Sequence, residues 1–92
     1  MILSTSIKPN EKIYYLDTST GSIGELTVSY IKIINFKQDI EIQYRNIHHA
    51  IDVNICTEKE ISERIPRNGV LYFKNKYVRD AYREKVIMEL KK

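Results

Sequence analysis

The chain has 92 residues, of which 42% are apolar and 29% charged, with a formal net charge of +3. That size and balance describe one domain, residues 1–92, with a single modest core, and exclude both a disordered chain and a multidomain one. One cysteine rules out an internal disulfide framework, and no apolar run approaches the roughly 18 residues of a membrane span.

The charge is segregated. Residues 1–73 carry eight Lys/Arg and nine Asp/Glu, a net of −1, whereas residues 74–92 carry seven and three, a net of +4. Met1-Ile2-Leu3 is followed at once by Ser, Thr and Lys, which lacks the apolar region of a signal peptide, so a reducing cytoplasm is the expected setting. Fifteen isoleucines against two alanines lean the composition toward β structure, because a β-branched side chain fits a pleated, half-buried surface.

In chain order, Met1 to Ile7 is read as a strand, with Pro9-Asn10 as a turn and Lys12-Ile13-Tyr14-Tyr15-Leu16 as the next strand. Thr18 to Gly24 is rich in Ser, Thr and Gly and reads as a loop. Leu26, Val28 and Tyr30 alternate with Thr27 and Ser29, the pattern of one half-buried strand. The alternation breaks at Ile31-Lys32-Ile33-Ile34, which predicts a bulge or burial of both faces. Lys37-Gln38 is a hairpin turn. Ile40, Ile42 and Tyr44 then oppose Asp39, Glu41, Gln43 and Arg45, and Ile51, Val53 and Ile55 oppose Asp52 and Asn54. Thr57-Glu58-Lys59-Glu60 fits a capping box, predicting a short helix at about 58–65 that presents Ile61 and Ile65 to the core and stops at Pro66. Val70 to Phe73 is wholly apolar and reads as a central strand. Asn75 caps a last helix at about 76–90, with Val78, Ala81, Tyr82, Val86 and Leu90 on its inner side and Ile87 outside that stripe. The fold class is therefore α+β: a small antiparallel sheet or an SH3-like, partly open barrel, closed by a C-terminal helix.

Few residues could carry chemistry. His48, His49 and Cys56 are the only soft metal ligands, and adjacent histidines on a strand point to opposite faces, short of the four converging ligands zinc needs. No serine sits in a nucleophile-elbow pattern, and Gly21-Ser22-Ile23-Gly24 lacks the lysine of a phosphate loop. A non-enzyme without metal or cofactor is expected. The basic tail is the most distinctive feature: Lys76, Arg79 and Arg83 are spaced by three or four on the last helix, and with Lys74 and Arg67 they could follow a phosphate backbone. The ordinary reading of such a helix is a solvated face with Asp80, Glu84 and Glu89 pairing with its cations. Sheet edges offer a third surface, open to an added strand.

Gly69 to Ala81, an apolar strand ending in Phe73 and leading into a helix with Ala81, resembles the ending of small phage and prophage proteins with SH3-like barrels. Lys12 to Asp17 with the following Gly-containing loop is similar to their opening hairpin. That resemblance implies host-takeover, anti-defence or nucleic-acid accessory roles.

Two functions follow as expectations. One is a non-catalytic accessory or inhibitor that binds a host protein by occlusion, with a homodimer also open. The other is a single-stranded nucleic-acid-binding module using Lys74, Lys76, Arg79, Arg83 and Arg67, in which Arg79→Gln and Arg83→Gln lower affinity without altering thermal stability. Neither involves a membrane. The register of the middle strands is tested directly: Ile42→Asp places a carboxylate on the apolar face and costs about 3 kcal/mol or more, whereas Gln43→Asp leaves a folded circular dichroism spectrum.

Overall fold

The computed structural model describes residues 5–37 and 39–92. Five strands precede a short helix, a further strand and a long helix: β1 Lys12–Asp17, β2 Ile23–Thr27, β3 Tyr30–Phe36, β4 Asp39–His48, β5 Ile51–Thr57, α1 Glu58–Ser62, β6 Val70–Phe73 and α2 Lys76–Leu90. They form two three-stranded antiparallel sheets, ordered β2-β1-β6 and β3-β4-β5, not one closed barrel. Of the strand expected over residues 1–7, residues 5–7 are not in a strand and residues 1–4 lie outside the described residues, as does Gln38 of the predicted turn.

The sequence pattern at residues 26–30 reads as one strand, but the chain changes sheets there. β2 ends at Thr27, pairing with Lys12, and β3 begins at Tyr30, pairing with Arg45. Val28 between them is fully buried, its amide donating to the Glu11 carbonyl at 2.8 Å and its own carbonyl accepting from Asn10 at 2.8 Å. Both polar groups of this crossover are satisfied, so the buried corner carries no unpaired backbone. The main core forms around it, from Ile7, Ile13, Val28, Tyr44, Ile55, Cys56 and Ile61, with Ile31, Ile42 and Tyr72 packed alongside.

The first sheet is used on both faces. Ile13 and Tyr72 point toward the second sheet, while Leu16 and Phe73 are buried beneath α2, where the Phe73 and Tyr82 rings lie 5.3 Å apart. This explains why Val70 to Phe73 is apolar throughout even though β6 is an edge strand and not a central one. Gly24 is paired with Tyr15, whose ring occupies the space a side chain at 24 would need.

Neither outcome expected for β3, a bulge or burial of both faces, is found: Ile33 is 48% exposed. β3 and β4 pair without a register shift from Tyr30–Arg45 to Phe36–Asp39, and the bulge lies instead between β4 and β5, where Tyr44 pairs with Cys56 but Arg45 pairs with Asn54. The extra residue, Ile55, is buried, so the bulge turns Ile55 and Cys56 into the core together. Ile51 and Val53, expected inward by alternation, are left 63% and 49% exposed.

The capping box forms as read: the Glu60 amide donates to Thr57 Oγ1 at 3.2 Å and the Thr57 amide to Glu60 Oε1 at 2.8 Å. α1 ends earlier than Pro66. Arg64 takes a left-handed conformation (φ 56°) and the Ile65 amide donates to the Glu60 carbonyl at 3.0 Å, the pattern of a Schellman end. Ile61 is buried, but this early stop leaves Ile65 38% exposed. Arg64 then sets its guanidinium 4.5 Å from the Phe73 ring centroid.

One polar group is tied into the core. The Tyr44 hydroxyl donates to Glu58 Oε2, and Ser6 Oγ donates to Glu58 Oε1, joining the N-terminal segment, β4 and α1. Burial first, and the bond to Glu58 second, push the Tyr44 hydroxyl well above the ordinary tyrosine range, and burial does the same to the Cys56 thiol. Both groups therefore keep their protons in the folded chain at pH values where the unfolded chain loses them, near about 10 for tyrosine and about 8.5 for cysteine. The folded state then binds more protons, so stability falls as pH rises through that range. Urea midpoints are expected to drop between pH 8 and 11, and Tyr44→Phe to flatten the slope while costing about 1–3 kcal/mol at neutral pH. A flat wild-type profile contradicts this account of the core.

Candidate binding surfaces

The residues of the predicted basic patch do not form one stripe. The inner side of α2 is Arg79, Tyr82, Arg83, Val86 and Ile87, at helical spacings of three and four, each buried or half-buried. Val78 and Leu90, expected inward, are 37% and 50% exposed, and Ala81 is also exposed. Ile87, which falls outside the predicted stripe, packs against Gly21.

Arg79 is only 8% exposed. Its Nη1 donates to the Gly24 carbonyl at 3.0 Å, its Nη2 and Nε donate to Asp80 Oδ1 at 2.9 and 3.1 Å, and its guanidinium lies 5.4 Å from the Tyr14 ring centroid. Arg83 Nε donates to the Gly21 carbonyl at 2.9 Å. Gly21, at φ 80°, is buried beneath the helix. Two arginines expected on a phosphate-binding face thus hold α2 onto the β1–β2 hairpin: their apolar stems cover the sheet and their charged ends satisfy main-chain oxygens. Arg67 lies elsewhere, paired with Glu60 at 3.4 Å beside β6. Of the five, Lys74 and Lys76 are the ones left exposed without such a role.

The histidines and the thiol do not converge. His48 ends β4 and His49 follows in the turn at φ 52°; the turn brings the two rings within 4.0 Å, edge to face, instead of onto opposite faces. Both are exposed, whereas Cys56 is fully buried with its thiol pushed up in pKa, which is the opposite of an activated nucleophile. Among the described residues no group of three or more His, Cys, Asp or Glu side chains could hold a metal ion, and no helix is long and apolar enough to cross a membrane.

The more developed surface lies where the sheets part. Joined through Ile13, Val28 and Tyr44, they open into a cleft of about 490 Å³, with Leu26, Val70 and Tyr72 contributed by the first sheet and Val53, Asn54 and Ile55 by the second. Asn46, Arg67 and Asn68 add polar groups to its lining. That volume falls within the roughly 300–1,000 Å³ of ligand clefts. A second hollow of about 450 Å³, lined by residues that include Ile47 and His48, shares Leu26 and Asn46 with it. Sequence alternation missed this surface because it assigned Ile51 and Val53 to the core. The signal available was the adjacency of Ile55 and Cys56, two apolar residues in succession that a strict alternation cannot bury together.

No protein-family model, curated protein or solved structure matches this chain.

The inward arginines make a prediction opposite to the sequence expectation. Arg79→Gln and Arg83→Gln each lower stability, by about 1–3 kcal/mol for a lost charge-assisted hydrogen bond, whereas Lys74→Gln and Lys76→Gln change it by less than about 0.5 kcal/mol. Chemical denaturation of the four variants checks the assignment.

Proposed function

We propose that this chain is a non-catalytic binding domain that engages a protein partner through the apolar ground around the intersheet cleft and the β4–β5 hairpin. The observation that carries the reading is the exposure of Leu26 (37%), Ile51 (63%) and Val53 (49%) along that ground. A run of large apolar side chains facing water beside a cleft is the usual mark of an interaction surface. Its polar neighbours, Asn46, Asn68 and Arg67, would form the rim.

The nucleic-acid reading is the less favoured one, because Arg79 and Arg83 are engaged by main-chain oxygens and leave Lys74 and Lys76 as the exposed cations of the proposed patch. The open two-sheet layout is compatible with the resemblance to small phage SH3-like proteins. A phage or mobile-element accessory protein that inhibits a host protein in the host cytoplasm, by covering part of its surface, belongs to the same proposal.

The test is capture from host lysate, with and without nuclease treatment, by wild-type protein, Val53→Asp and the Lys74→Gln/Lys76→Gln double variant. Val53 is half exposed, so its replacement leaves the fold intact. A stoichiometric protein partner retained by the lysine variant and lost, at least tenfold, by Val53→Asp is the expected result. Capture that disappears with nuclease, or that follows the lysines instead of Val53, refutes the reading.

A further inference from the structure

We infer that the outer edge of β5 is a strand-addition site, receiving an extended segment of a protein partner whose side chains enter the intersheet cleft. This rests on the protein-binding reading above and specifies how the partner is held.

The direction of the β5 main chain is fixed by bonds on the far side of β4. The Ser29 amide donates to the Arg45 carbonyl at 2.8 Å, and the Ile47 amide donates to Ser29 Oγ at 2.8 Å. Arg45 and Ile47 therefore turn their main-chain groups toward the β3 side. In an antiparallel ladder, facing residues alternate between bonding each other and turning away. The residues opposite Arg45 and Ile47, which are Asn54 and Asp52, thus present their N–H and C=O groups outward from β5. The turn agrees. His49 and Ala50 both have positive φ, as a two-residue hairpin turn of the I′ type requires, and such a turn closes on a hydrogen-bonded pair, here His48 and Ile51. Counting from that pair again places Asp52 and Asn54 outward. Among the described residues, no backbone bond outside the ladders reaches either of them.

The other edges are shorter, charged or partly closed. β6 is closed at Val70, whose N–H and C=O exchange bonds of 3.0 and 2.9 Å with Arg67. β2 is five residues long, carries Gly24 and Glu25, and lies under the arginine latch of α2. β3 has Lys32 in mid-strand, a charge that discourages pairing. β5 has neither Lys nor Pro; its one charge, Asp52, is paired with Arg45 at 3.1 Å, and its exposed residues include Ile51 and Val53.

An incoming backbone brings N–H and C=O groups at the spacing of the edge. Alternate side chains of an extended segment would meet Val53, Ile55, Val70 and Tyr72, all of which line the cleft. No other common backbone conformation supplies donors and acceptors at the two-residue interval that Asp52 and Asn54 present.

The probe is a seven-residue acetylated and amidated peptide alternating valine and threonine between terminal aspartates, titrated to millimolar concentration against the ¹⁵N-labelled full chain. Amide shifts confined to residues 51–55 and 70–72, with slowed exchange of the Asn54 amide, are expected. The same peptide N-methylated on alternate residues should bind at least tenfold more weakly. Asn54→Pro should weaken the parent peptide similarly, since it removes an outward N–H and leaves the β4 ladder whole; its thermal melt reports whether it folds, and the N-methylated peptide needs no variant. Absence of shifts, shifts elsewhere, or equal binding of the N-methylated peptide overturns strand addition. So do the same shifts on concentrating the protein alone, which would make a second copy the occupant. In each of these cases the Val53→Asp capture result still judges the broader reading independently.

Discussion

The seating of α2 rests on two arginines that donate to the main chain of the β1–β2 hairpin. Arg79 on Gly24 and Arg83 on Gly21 set the rotation of the helix about its axis. With those two turned inward, Tyr82, Val86 and Ile87 share the buried side, and Tyr77 and Met88 are left 74% and 68% exposed. The rotation decides the electrostatics as well as the packing. A helix with an excess of positive charge in its sequence delivers less of that charge to the surface than a count suggests, because its longest cations fill donor positions in the structure.

The same sheet is covered on its other face by the second sheet, so the molecule is layered as α2, first sheet, second sheet. The seam of that second interface is the crossover at Val28 and the tie between Ser6, Tyr44 and Glu58. Where the seam holds, side chains such as Ile13, Tyr44 and Cys56 are sealed from water. Beyond it the sheets diverge, and Leu26 and Val53 face each other across a cleft instead of packing together. The bulge at Ile55 belongs to both regions. It doubles the inward residues at the seam and, in doing so, turns the rest of β5 toward solvent.

A surface built this way joins two properties that partners exploit: apolar side chains held on rigid strands, and a strand edge with unsatisfied main-chain groups. Proteins generally guard such edges with charge, proline or a covering element, and here β2 lies under α2, β3 carries Lys32 and β6 is closed at Val70. The edge of β5 runs beside the cleft. Affinity from the main chain and selectivity from the cleft would then act on the same incoming segment.

Much of the local structure was legible in the residues. The capping box at Thr57, the Asn75 cap, the inward Ile42 and Tyr44 and the α+β order all follow from short-range chemistry, because hydrogen bonds and side-chain periods act over a few residues. Ile40, by contrast, is 36% exposed on the same face. Tertiary structure decided the rest. The crossover at Val28 looks like an unbroken strand, because alternation records which side chains are buried and not which sheet buries them. The apolar Val70 to Phe73 run reads as central, since burial on both faces looks the same whether or not the strand has two neighbours. The inward turn of Arg79 and Arg83 was invisible for a related reason. Their partners are carbonyl oxygens of Gly21 and Gly24, more than fifty residues away, and a main-chain acceptor leaves no trace in the sequence until folding brings it into reach.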